Sequence, residues 1–65
     1  MRKPKRLYGF YEELMRIHIE YFPDWRFGQF CNNFLGWIIT SKERDPFYIE
    51  ESVMLDLLHE YVEEN

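Results

Sequence analysis

A small all-α domain of three helices is the fold class this sequence predicts, and three observations predict it. Apolar residues recur at steps of three and four in three separate stretches. Proline-containing breaks at Pro23 and Pro46 divide those stretches, and no segment shows the strict apolar–polar alternation of a half-buried strand. At 65 residues there is room for one hydrophobic core, so a single domain over 1–65 is expected, with helices over approximately 5–21, 25–40 and 50–63 and a flexible basic arm at 1–4.

The first helix follows from Leu7, Phe10, Tyr11, Leu14, Ile17 and Tyr21, which share one side at helical spacing. Glu12, Arg16 and Glu20 fall opposite at steps of four, so Arg16 is expected to meet a carboxylate on either side. Phe22-Pro23-Asp24 ends this helix, because proline disfavours helical geometry at the residue before it and donates no backbone hydrogen bond. Asp24 is then the natural N-cap of the second helix, whose inner stripe is Phe27, Phe30, Cys31, Phe34, Leu35 and Ile38. From Phe27 through Ser41 there is no charged residue, unlike an ordinary exposed helix, and this marks the second helix as central. Gly28, Asn32 and Gly36, four apart on it, are small enough to admit another backbone. Ser41 to Arg44 forms a charged connector, and Asp45-Pro46 initiates a turn leading into Phe47-Tyr48-Ile49, a trio expected to plug the end of the bundle. The third helix starts near Glu50, where Glu50 and Glu51 complement the helix dipole, and turns Met54, Leu57, Leu58 and Tyr61 inward.

Composition and charge narrow the function classes. Thirteen of the 65 residues are aromatic and none is alanine, which gives a short chain bulky side chains for a core or for a contact surface. Net charge is −4, but residues 1–6 carry +4 and residues 45–65 carry −7. A basic terminus beside an acidic body is not the basic stripe of a folded nucleic-acid-binding face, so nucleic acid is an unlikely partner. No apolar run reaches the roughly 18–20 residues that cross a bilayer, and no signal-peptide pattern follows the basic start. No membrane association and a cytoplasmic location are therefore expected.

Chemistry is thinly represented. Cys31 is the only cysteine and lies between Phe30 and Phe34, where apolar surroundings suppress the thiolate. Asp56-x-x-His59 has helical ligand spacing, but His18, His59 and Cys31 fall short of a zinc or di-metal set. His59 is read as an exposed residue near Glu63 and His18 as the edge of the first apolar face. Without a glycine-rich phosphate loop or a nucleophile elbow, we expect no enzyme, no metal and no cofactor.

Two blocks, Pro23-Asp24-Trp25-Arg26-Phe27-Gly28-Gln29-Phe30 and Asp45-Pro46-Phe47-Tyr48-Ile49-Glu50-Glu51, resemble a group of small uncharacterised bacterial and phage-type helical proteins. Their pattern runs approximately Pro-Asp-Leu-Arg-Phe-Gly-Gln and then Asp-Pro-Phe-Tyr-Ile-Glu-Asp. Trp25 stands here in place of the usual leucine and Glu51 in place of aspartate. The resemblance implies a short helical protein with no assigned activity, and it draws attention to Arg26, Gln29 and Asp45. Two uses of these residues follow. Arg26 and Asp45 are expected to pair and fix the fold-back of the connector. Alternatively Arg26, Gln29, Asn33 and Trp37, at steps of three and four, form a recognition strip with the Trp and Arg typical of interface hot spots.

The expected function is that of a non-enzymatic protein–protein interaction module, an adaptor or regulator, with the uncharged face of the second helix meeting another protein or a second copy in a homodimer. The alternatives are a nucleic-acid-associated accessory acting through Arg2 to Arg6, and an enzyme or metal protein using Cys31 or the histidines.

Overall fold

A computed structural model describes residues 2–65. Its elements are α1 (Arg6–Tyr21), α2 (Phe27–Ser41), a 3-10 turn (Pro46–Tyr48) and α3 (Glu51–Glu64). Three helices and no strand among the described residues make this a small all-α three-helix fold. No helix is long and apolar enough to cross a membrane among those residues.

The boundaries show how each helix is started and stopped. α1 ends where Phe22, which leaves helical geometry before Pro23, donates its N–H to the His18 carbonyl at 3.1 Å. α2 begins two residues later than expected, and Asp24 is not its cap. Pro23 to Trp25 instead form a turn closed by the Trp25 N–H on the Phe22 carbonyl, and Arg26 takes the extended conformation that precedes the helix. Gln29 reaches back to accept the Arg26 N–H at 2.7 Å, which is one half of a capping box. The other half is missing for a chemical reason, since a guanidinium has no acceptor. At its far end α2 stops without glycine. Glu43 adopts a left-handed φ of 54°, and the Arg44 N–H folds back on the Ile38 carbonyl. Asp45 caps the 3-10 turn by accepting from the Phe47 N–H at 3.0 Å, and an extended Glu50 precedes α3.

The core is Ile17 of α1, Phe30, Phe34 and Ile38 of α2, Ile49, and Leu57, Leu58 and Tyr61 of α3. An aromatic stack crosses it: Phe22 lies flat on Trp25 with centroids 4.5 Å apart, and Phe34 and Trp37 both meet Tyr61. α3, not the uncharged α2, is the central helix. It packs along both of the others, whereas α1 approaches α2 where the His18 ring rests 4.7 Å from Phe30. α2 lacks charge yet keeps one side open, so absence of charge did not signal burial all round.

Three expectations about packing are corrected. Of the Phe47-Tyr48-Ile49 trio only Ile49 plugs the core, because the 3-10 turn swings Phe47 and Tyr48 outward, leaving them 84% and 77% exposed. Tyr11 and Tyr21 of α1 and Phe27 of α2 are also exposed despite lying in the predicted stripes. Arg16 pairs with Glu13 at 2.8 Å and Glu20 at 2.6 Å, not with Glu12. Glu13 wins because it faces α3, where His59 Nε2 donates a second bond to it at 2.7 Å.

Candidate functional site

The recognition strip read along α2 does not exist as one surface. Arg26, Gln29 and Asn33 are exposed, but Gln29 is engaged in capping and Trp37 is turned toward the core against Phe34 and Tyr61. The Trp37 indole N–H donates to Glu64 at 3.1 Å, and the Lys42 ammonium lies 5.4 Å from its ring centroid while bonding Glu60. Trp37 thus fastens the C-terminal ends of α2 and α3 together. The expected Arg26–Asp45 pair is likewise not formed: no ion pair joins them among the described residues, since Asp45 turns its carboxylate onto Phe47.

The reactive candidates are occupied or subdued. Cys31 is half-buried, and that burial pushes its thiol above the ordinary range. His18 Nε2 lies 2.8 Å from the Trp25 carbonyl, which can only accept, so this nitrogen carries the proton and fastens the α1–α2 turn. His59 is bonded across to Glu13 rather than set near Glu63. Among the described residues no three His, Cys, Asp or Glu side chains are grouped to hold a metal ion.

The basic residues at the start of the chain reach acids at the start of α3. Of residues 1–4, Met1 lies outside the described residues. Arg2 Nε donates to both Glu50 oxygens at 3.0 and 2.9 Å, and Arg6 Nε donates to Glu51 at 2.8 Å. Both acids are drawn below the usual carboxylate range by these bonds. Lys3 and Lys5 make no ion pair among the described residues.

The surface that stands out is one sequence reasoning passed over, the side of α1 turned away from α3. Successive residues are about 100° apart around a helix. On that wheel Phe10, Ile17 and Glu13 point toward α3, while Leu7, Tyr11 and His18, then Met15, Tyr8 and Ile19, continue an apolar arc interrupted by no charge until Glu12. Tyr8, Tyr11, Met15 and Ile19 are 71%, 58%, 58% and 64% exposed. A groove of about 470 Å³ runs between Pro4, Leu7, Tyr8, Tyr11, Glu12 and Met15. A second of about 250 Å³ shares Tyr11 and Met15 and extends past Ile19 to Phe27, itself 64% exposed. The two adjoin at Tyr11 and Met15. Their signal was present in the sequence as the width of the α1 arc, roughly 200° against the 100° or so that one neighbour covers. By comparison, the small-residue line on α2 is open: a Cβ at Gly28 or Gly36 would meet nothing within 4 Å.

No protein-family model matches this chain, and neither a curated protein nor a solved structure shows significant similarity to it.

Proposed function

We propose that this chain is a non-enzymatic protein–protein interaction module that engages its partner through the outer face of α1, extended by Phe27. The exposed apolar arc of α1, with the two grooves that adjoin on it, carries this reading. Taking roughly 200 Å² for a large side chain, Tyr8, Tyr11, Met15, Ile19 and Phe27 leave about 600 Å² in water, at the upper limit for a chain several times larger. Its aromatic and methionine content is that of interface centres, and Lys5, Glu12 and Glu20 supply a polar rim. A nucleic-acid accessory reading has less support, because Arg2 and Arg6 already spend their charge on Glu50 and Glu51.

A photo-crosslinking residue placed at Tyr11 in the full chain, in the cells that make it, is expected to give a discrete adduct, whereas the same residue at exposed Asp56 gives none. Labelling at Tyr11 no stronger than at Asp56 refutes the reading.

A further inference from the structure

Resting on the interaction-module reading, we infer that the occupant of the outer face of α1 is a single amphipathic helix of a different protein, one that carries an acidic side chain opposite Lys5 and a basic one opposite Glu12. Spacing calls for a helix. Pro4, Tyr8, Tyr11 and Met15 step by four, three and four, the alternation of a coiled-coil seam, and all four stand exposed along the adjoining grooves. Half-buried Leu7 and Leu14 wall one side of that seam. A seam of this spacing accepts the apolar stripe of a facing helix, and among the described residues there is no strand edge to which an extended segment could add. From Tyr8 to Ile19 the face runs about 16–17 Å, which roughly three turns of a partner helix cover.

Charge sets the flank. Lys5 and Glu12 are one heptad apart, so they stand within about 20° of each other around α1 and about 10 Å apart along it, across the seam from Leu7. Both are exposed, and neither is in an ion pair among the described residues. Glu12 itself lines the larger groove. Arg16, the next charge on that side, is already bonded to Glu13 and Glu20. The free flank therefore reads basic and then acidic, and a partner helix matches it with acid and then base.

The same two charges disfavour a second copy of this chain. A reversed copy centred between Tyr11 and Met15 spans the whole face but brings Glu12 against its own counterpart. A reversed copy shifted until Lys5 meets Glu12 begins its α1 opposite Tyr11, and so leaves Met15, Ile19 and Phe27 without a facing helix. Self-pairing thus satisfies the charge or the apolar area, whereas a foreign helix satisfies both. An anionic lipid surface is disfavoured by Glu12 and by the net charge of −4.

The test is selection on the full chain from a displayed library of helical peptides, with Leu fixed at the heptad seam positions and the flanking positions varied among Glu, Gln and Lys. Selected peptides are expected to carry Glu and Lys one heptad apart in one preferred order. The best of them, made synthetically, should bind Met15→Glu and, independently, Tyr8→Glu at least tenfold more weakly while circular dichroism of both variants stays helical. The chain with Lys5→Glu and Glu12→Lys together should select the opposite order of charges, and Gly36→Leu, on the open face of α2, should leave binding unchanged. No enrichment, enrichment without a charge preference, or binding that survives Met15→Glu and Tyr8→Glu overturns the inference. A dimer in light scattering that Met15→Glu dissolves overturns it in favour of a second copy, and binding to anionic phospholipid vesicles that Met15→Glu abolishes overturns it in favour of a lipid surface. If the helix selection fails while Tyr11 still crosslinks to a discrete protein, the helical occupant falls and the interaction module stands.

Discussion

Phe27 and Phe30 lie three residues apart on the same predicted stripe, yet the fold separates them completely: Phe27 is 64% exposed and Phe30 is 1% exposed. Phe30 is ringed by His18, Phe22, Trp25 and Phe34, at centroid distances of 4.7, 5.6, 6.4 and 6.3 Å. Cutting it to alanine leaves a cavity walled by rigid rings that collapse poorly, which costs about 3–5 kcal/mol. A chain of this length has only about 3–10 kcal/mol of total stability, so Phe30→Ala is expected to be largely unfolded. Phe30→Leu keeps most of the volume and should cost about 1–1.5 kcal/mol. Phe27 has only about a third of its surface covered, so Phe27→Ala forfeits roughly 0.5–1 kcal/mol of burial and regains about half of that in helix propensity. Urea unfolding followed by Trp25 and Trp37 emission, at one low protein concentration, reads the difference directly. With a slope near 1 kcal/mol per molar urea, Phe30→Leu should lower the midpoint by about 1 M and Phe27→Ala by less than about 0.5 M. Equal losses from Phe27→Ala and Phe30→Ala would refute this account of the core.

Two further outcomes follow from single contacts. Asp45→Ala removes the cap of the 3-10 turn and should cost about 0.5–1 kcal/mol, Asp45→Asn should retain most of it, and Arg26→Ala should be nearly neutral; a double-mutant cycle showing strong coupling between Arg26 and Asp45 would restore the ion pair. The Glu13 carboxyl is pulled down to about 2, first by its bond to Arg16 and then by that to His59. A folded-state value below the unfolded one gives stability that is present above about pH 4.3 and lost as pH falls toward 2. Glu13→Gln should therefore make unfolding take up about one proton fewer between those limits, with a shallower acid limb in the denaturation profile; an unchanged acid limb would show that the pair contributes nothing.

What was legible in the sequence was whatever is local. Three apolar periodicities and the two proline breaks were enough for the three helices, within one or two residues at each end. The α2 start slipped because Asp24 and Arg26 compete for the role of last residue before the helix, and the winner was decided by Gln29 three positions on from Arg26. Side-chain partners chosen across helices were not legible. His59 took Glu13 over Glu63 because α1 and α3 lie side by side, a fact that spacing along one helix cannot contain, and Arg16, three residues from Glu13 on α1, shares that same carboxylate. The same holds for the arm, since Glu50 and Glu51 meet Arg2 and Arg6 only once α3 starts beside the start of α1.

The candidate surface shifts from α2 to α1 for a related reason. α2 attracted attention because it has no charge, but an uncharged helix can still bury the centre of its apolar stripe, as Phe30, Phe34 and Ile38 do in one core with Leu57, Leu58 and Tyr61. The better question is how many neighbours each helix has against how wide an apolar arc it carries. With α3 in the middle, each outer helix has one main neighbour. α1 carries the wider arc of large side chains, and α3 covers only the Phe10–Ile17 side of it. The surplus, Tyr8, Tyr11, Met15 and Ile19, has no further helix among the described residues to cover it. Removing it by Met15→Glu should therefore leave the fold of the isolated chain intact and act only on association, which separates a surface kept for a partner from one the core requires.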